Sequence, residues 1–462
     1  MTLENQLTAC IKNMVSKAHF LLSIFILFTR RIIKKFYIYY SLNDIIKRKI
    51  GSKETYYVIK TFLNSCFLAR RDELQDEYFG NLPRYALECG HKVIILASIL
   101  DNYKEIVRKI KKTRSVLVIP EDYFLSILDL FRLFKYLHIR RRKITDKIVF
   151  NGLDVTKIYI HEIIKGFLSA DYLYNILAYF INMRFSQKVK FNIYIQPFEN
   201  YALEKLAILG IRKHKTDCKI FGFQHAFVSR NSFKYFPSSA EKDRIPLPDK
   251  IITMGARTRD ILEKFGAYDK DMLVTGCALR QEYIGNIEPL KRKRFNRIVV
   301  PLTMVKEESI MILRFLYDSG LSETKNKVVI RCHPAFSFQK FQKEIKFRIP
   351  GNFIINNDKN VKDELSEADM VLYTWSTVAV EALRLGLPAV YLDILKPMYV
   401  DPLFECKALK RVVARKEEVL PIIENFYTMS DEDFYTEQED AQEYLREYFY
   451  PVNNDTLKPF FI

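Results

Sequence analysis

The chain has 462 residues, 49% of them hydrophobic and 14% aromatic, too much apolar material for one ordinary core and enough to exclude wholesale disorder. Lys and Arg number 73 against 55 Asp and Glu, a net charge of +18, so anionic partners are expected: phosphates, nucleic acid or acidic lipid. Seven cysteines form no CxxC pair and no zinc spacing, which argues against a zinc module and for reduced, mostly buried thiols in a cytosolic protein.

The first element is an apolar run, "AHFLLSIFILF" at 18 to 28. Eleven residues are too few to cross a bilayer, which needs about 20. No small-residue cleavage site follows it, only "TRRIIKKFYIYY". Apolar residues mixed with Arg30, Arg31, Lys34, Lys35 and three tyrosines suit a helix lying in an anionic membrane interface, which makes residues 1–50 a membrane-associating segment on the inner face of the cell membrane. A buried helix of the first domain with a basic outer edge is the other reading.

Strand-like and helical runs then alternate. "TYYVIK" (55 to 60), "HKVIILAS" (91 to 98), "SVLVIP" (115 to 120), "FNIYIQ" (191 to 196), "CKIFGFQ" (218 to 224), "KIITMG" (250 to 255) and "MLVTG" (272 to 276) are short, rich in β-formers and separated by helical lengths. They predict a mainly parallel α/β domain over 51–286. A basic stretch around "IEPLKRKRFNR" (287 to 297) reads as a linker, after which "RIVVPL", "KVVIRCHP", "NFIINN", "DMVLYT" and "PAVYLD" predict a second domain over 297–430. Residues 431–462 read as an acidic C-terminal helix. Two doubly wound, Rossmann-like domains in tandem are the expected architecture.

Neither domain carries GxGxxG or a Walker P-loop, which removes the usual dinucleotide oxidoreductases and P-loop nucleotidases. Open α/β sheets bind ligands outside the carboxyl ends of their strands. The polar residues at those ends are Glu199, Asn200, Gln224 and His225 in the first domain, and Thr303, His333, Ser376, Thr377 and Asp393 in the second. Between residues 371 and 393 a strand, a helix and a strand follow one another. Ser376 and Thr377 fall where the helix begins, to cap it or to hold an anion with the free backbone N–H groups. Glu381, one turn later, is placed to accept hydrogen bonds from a ribose.

At "RCHPAF" (331 to 336) and "TWSTVAVEAL" (374 to 383) the chain resembles the nucleotide-sugar half of GT-B glycosyltransferases. His333-Pro334 with Ser376-Thr377 is similar to the His-Pro and Ser-Ser/Thr pair of bacterial sialyltransferases and Kdo transferases, which use CMP-activated sugars. "QPFENYALEKL" (196 to 206) and "IFGFQHAFVSRNSFKYF" (220 to 236) resemble a bacterial surface carbohydrate biosynthesis family, itself read as GT-B. Leu203 stands before Glu204 where that pattern leads one to expect tryptophan, and the acidic base motif of the sialyltransferases is absent.

The resemblance implies two domains facing across a cleft, a nucleotide-sugar donor, preferably a CMP-linked acidic sugar, and a surface glycan or lipid-linked acceptor. It assigns Thr303, Arg331, His333, Pro334, Ser376, Thr377 and Glu381 to the donor, with His333 stabilising or protonating the leaving phosphate. Glu199 becomes the acid/base carboxylate, with a turn or cap as its alternative role. His225 is a second candidate for the base, and Asn200, Gln224 and Arg230 would face the acceptor or sugar. No metal or cofactor is implied. A CDP-glycerol-type polyol-phosphate transferase is an alternative, as is a non-catalytic basic protein binding membrane or nucleic acid, although no nucleic-acid-binding motif is present.

Overall fold

The structure is a computed structural model that describes residues 3–50, 54–133, 136, 147–167, 169–282, 288–294, 296–333, 336–356, 359–395 and 400–462, with side chains from Leu22 onward except at Ala170. The strands in chain order are β1 (Tyr56–Leu63), β2 (Lys92–Ile99), β3 (Leu117–Pro120), a hairpin of β4 (Val149–Phe150) and β5 (Leu153–Asp154), β6 (Phe191–Pro197), β7 (Lys219–Gln224), β8 (Lys250–Thr253) and β9 (Leu273–Thr275). They continue as β10 (Arg297–Pro301), β11 (Lys327–Arg331), β12 (Phe353–Ile355), β13 (Met370–Tyr373), β14 (Ala389–Leu392) and β15 (Lys410–Val413).

Two open sheets result. The first has the order β3-β2-β1-β6-β7-β8-β9 and the second β12-β11-β10-β13-β14-β15. Pairing is parallel from β3 through β7 and throughout the second sheet. These strands are near-continuous apolar runs because helices cover both faces: Tyr57, Val58 and Ile59, or Val371 and Leu372, are wholly buried. In each sheet the order reverses beside the strand that begins it, between β1 and β6 and between β10 and β13. That reversal is the place where an open α/β sheet leaves a crevice at its carboxyl end. The expectation of an α/β chain with two Rossmann-like sheets is borne out.

By contacts the chain divides into two compact units, Met1–Phe223 with Ala240–Ile251 and Phe461, and Gln224–Ser239 with Ile252–Phe460 and Ile462. β1, β2, β3 and β6 belong wholly to the first and β10 to β15 to the second. The acidic helix Asp431–Tyr448 is part of the second unit, where Gln438 donates to the Gly386 carbonyl (2.9 Å) and Gln442 to that of Leu383 (2.8 Å).

The first helix, α1 (Leu3–Ile50), is far longer than its apolar run. Ile24, Arg31, Ile38, Leu42 and Ile46 are buried along one face, while Leu22, Phe25, Ile26, Ile33, Phe36 and Tyr40 are exposed on the opposite one. At 3.6 residues per turn the two sets fall about 180° apart. Arg31, which in sequence belongs with the outward cations, is therefore turned inward, because position 31 shares the face of Ile24 and Ile38. Its guanidinium pairs with Asp122, lies 3.8 Å from Glu121, and covers the Tyr174 ring at 4.8 Å. Glu121 also takes Lys60 Nζ at 2.8 Å. Burial would push the Glu121 carboxyl up, and Lys60 and Arg31 together outweigh it and hold it below the usual range. No helix among the described residues is long and apolar enough to cross a membrane.

Among the described cysteines, Cys218, Cys277, Cys332 and Cys406 are buried and Cys66 and Cys89 exposed, all as free thiols. β15 and the hairpin are absent from the sequence reading. β15 carries cations where a strand needs apolar residues: Lys410 is neutralised by buried Asp401, and Arg411 by Glu437.

Candidate functional site

In the second unit the reversal point lies between β10 and β13. Pro301 pairs with Arg331, and Val299 with Val371, so β11, β10 and β13 end in one row. Two strand spacings, about 10 Å, separate the outer two. Thr303, His333 and Ser376-Thr377 follow these three ends.

β13 is followed by Thr374, 1% exposed, whose hydroxyl has no hydrogen-bond partner among the described residues. A buried hydroxyl left so costs about 1–3 kcal/mol. Ser376 is the N-cap of the helix Thr377–Arg384, accepting from Val378 N–H at 3.2 Å. It holds extended backbone while the helix begins behind it. Thr377 and Glu381 are half-buried on that helix's first turns. Trp375, the one tryptophan of the chain, is 42% exposed, and its indole N–H donates to Glu308 at 2.9 Å. Glu308 is in the first turn of the helix Lys306–Asp318 that leaves β10. The Trp375–Glu308 bond thus ties the two sides of the reversal point together.

Thr303 is buried and its hydroxyl shapes the turn into that helix, donating to the Val305 carbonyl at 3.1 Å. Met304 and Val305 beside it are exposed. Arg331 is directed elsewhere: Nη1 donates to the Lys359 carbonyl at 3.0 Å and lies 3.6 Å from Glu364, a fully buried carboxylate that Arg297 also holds. His333 is exposed, its carbonyl accepting from Phe336 N–H at 2.8 Å, and partial desolvation lowers its imidazole below the ordinary value. It is therefore neutral at pH 7. Pro334 lies outside the described residues.

In the first unit, β6 ends at Pro197 and the chain turns through Glu199 and Asn200. Asn200 is buried with φ +60°, a left-handed conformation uncommon for a residue with a side chain. The Glu204 carboxylate holds the turn, accepting from Glu199 N–H at 3.0 Å and Asn200 N–H at 2.8 Å. So the second glutamate of "ENYALE" ties this turn to the first turn of the following helix Ala202–Arg212, and Glu199 is half-buried at the tip. Strained backbone of this kind collects at functional sites.

Gln224 and His225 fall in the second unit, and both are buried. Gln224 is spent on the backbone, donating to the Ala226 carbonyl and accepting from Met254 N–H at 3.3 Å. Arg230 is exposed. Thr374 and Trp375 are residues that the sequence did not single out, although both stand in "TWSTVAVEAL" directly before Ser376. Among the described residues no group of three or more His, Cys, Asp or Glu is arranged to hold a metal ion.

No family model matches the chain, and no curated protein matches it. Solved structures do. A glycosyltransferase from Rickettsia africae ESF-5 is 14% identical, covering 88% of this chain and 98% of its own, with a TM-score of 0.46. A UDP-GlcNAc 2-epimerase from Neisseria meningitidis bound to UDP-GlcNAc is 10% identical over 85% and 99%, TM-score 0.46, and MurG of Acinetobacter baumannii 12% identical over 87% and 98%, TM-score 0.44. The fold rests on the strand orders above.

Proposed function

We propose that the chain is a GT-B glycosyltransferase that moves a sugar from a nucleotide donor, by preference a CMP-activated acidic sugar such as Kdo or a sialic-acid-like sugar, to a surface glycan or lipid-linked acceptor. The observation that carries this is the end of β13. A buried Thr374 hydroxyl without a hydrogen-bond partner among the described residues and a capped helix start stand at the reversal point of a 3-2-1-4-5-6 sheet, where such sheets bind nucleotides.

In this reading the Thr377 hydroxyl and the first N–H groups of the helix Thr377–Arg384 hold the donor phosphate. Glu381 accepts from the ribose. His333, neutral before the donor arrives, donates a hydrogen bond that strengthens as the leaving phosphate gains charge. Glu199 takes the proton of the acceptor hydroxyl. His225, being buried, is the weaker candidate for that step, and Arg230 is free to meet an anionic sugar only if the acceptor reaches it. The outward apolar face of α1, with exposed Arg30, Lys47 and Arg48, supports peripheral association with the inner face of the cell membrane.

A thermal-unfolding screen of CMP, CDP, UDP and the free bases tests the reading, because only a ligand that prefers the native state raises the midpoint. CMP should raise it most. A CDP preference with turnover of CDP-glycerol would make the protein a polyol-phosphate transferase, and no shift with any nucleotide would end the transferase reading.

A further inference from the structure

The stretch 147–167 has no place in the chemistry above, and it has an unusual property. The hairpin of β4 and β5 and the following helix Thr156–Phe167 contain no buried residue. Val149, Phe150 and Leu153 are 59%, 67% and 69% exposed. Between them Asn151 (φ +48°) and Gly152 (φ +80°) make the tight Asn-Gly turn that holds two strands together at its tip. An isolated hairpin is marginal in water, and this one aims its largest apolar side chains outward. In the helix, Tyr159, Ile160, Ile163, Ile164 and Phe167 share one arc with Lys157 at its edge, and His161 and Lys165 lie opposite together with Ile158, itself exposed.

The charges say what covers this surface. From Arg140 to Phe167 the sequence holds seven cations (Arg140, Arg141, Arg142, Lys143, Lys147, Lys157 and Lys165) against three carboxylates (Asp146, Asp154 and Glu162). Glu162 and Lys165 offset each other at 3.5 Å, and Asp154 accepts from Thr156 N–H at 3.0 Å. Exposed apolar side chains on a turn and a helix, preceded in the sequence by the basic run Arg140–Lys143, are complementary to the headgroup and acyl boundary of an anionic bilayer.

We propose that the hairpin and helix of residues 147–167 are a lipid-inserting element, a second membrane contact besides α1, selective for anionic lipid. It deepens the reading of peripheral association and is independent of the sugar chemistry. The test uses the full chain and vesicles of phosphatidylglycerol with phosphatidylcholine, against phosphatidylcholine alone. Phe150→Asp with Leu153→Asp removes no buried contact, so the unfolding midpoint should stay in place while partition to the anionic vesicles falls about tenfold or more. In a Trp375→Phe background, Phe150→Trp should shift its emission to the blue on adding anionic vesicles.

A second variant, Phe25→Asp with Ile33→Asp and Phe36→Asp, separates the two contacts. If only it loses vesicle binding, α1 is the sole anchor and the proposal is wrong. Wild-type protein that ignores both vesicles would overturn this proposal and the peripheral reading together, leaving the nucleotide screen untouched. Light scattering supplies the remaining outcome: a wild-type oligomer that the Phe150 and Leu153 pair dissociates would mean that a second copy covers the surface, which also overturns the proposal.

Discussion

Each unit gathers polar side chains near the carboxyl ends of its strands, and the two gatherings differ in how their polar atoms are satisfied. In the first, Lys60, Ser98, Glu121, Asp122 and Arg31 are all buried, and Lys60 is bonded to Ser98 and Glu121 while Arg31 is bonded to Asp122 and lies near Glu121. In the second, the Thr374 hydroxyl is just as buried and has no bond among the described residues. A closed account of charges is a scaffold, whereas an open account is what a ligand completes. Residue types alone do not separate the two cases. The partners do.

The largest effect expected from that difference is on the closed side. Arg31→Met leaves Glu121 and Asp122 buried without their guanidinium, a loss of about 3–5 kcal/mol by analogy with other broken buried pairs. Urea unfolding should show it. Deleting residues 1–50 removes Arg31 with Ile38, Leu42 and Ile46 and should give a protein that does not fold, so a membrane test must use surface variants of α1 and not a truncation. A stable Arg31→Met protein would show the cluster to be dispensable.

Next comes Glu199→Gln, which keeps the turn because Glu204 holds it from the backbone. Turnover should fall about 100-fold with donor affinity nearly unchanged, since only the proton acceptor is lost. An active variant would move the base elsewhere and return Glu199 to the scaffold.

Ser376→Ala with Thr377→Ala is smaller and more instructive. Ser376 is a cap in the free protein, so a fall of about 1 kcal/mol in stability is expected whatever the site does. The deciding quantity is nucleotide affinity, expected to weaken more than tenfold through the lost bonds to the phosphate.

The smallest effect is on pH dependence. Desolvation lowers the free His333 below its ordinary value, and a bound phosphate dianion would draw that value up again. Nucleotide affinity should therefore rise as pH falls from 7.5 toward 5.5, and the rise should vanish in His333→Gln. A wild-type profile as flat as that of the variant would remove His333 from the phosphate.

Most of the fold was legible in the sequence. Twelve strand-like runs named there, from "TYYVIK" to "PAVYLD", coincide with β1 to β3, β6 to β9 and β10 to β14, because buried parallel strands announce themselves as apolar runs. β15 was not legible, since its charges are neutralised by Asp401 and Glu437 from distant positions. The inward turn of Arg31 was legible in principle from the spacing 24, 31, 38, and was masked by its neighbour Arg30 on the outward side. At the site, Ser376, Thr377 and Thr303 stand where the strand-end rule put them. Arg331 meets Glu364, 33 residues on, a partner that the sequence does not announce. Thr374 was invisible as a candidate for the opposite reason: only the folded neighbourhood shows that its buried hydroxyl has no hydrogen-bond partner among the described residues.

That hydroxyl offers the most direct test of the central claim. Trp375 is the only tryptophan and sits beside it, so CMP can be titrated into wild-type protein and into Thr374→Val while tryptophan emission is followed. The account predicts a saturable emission change in the wild type, an affinity weaker by about tenfold in Thr374→Val, and an unfolding midpoint for the unliganded variant that is unchanged or higher, since a valine needs no hydrogen bond. Equal CMP affinity in the two proteins, or emission that no nucleotide moves, would contradict it.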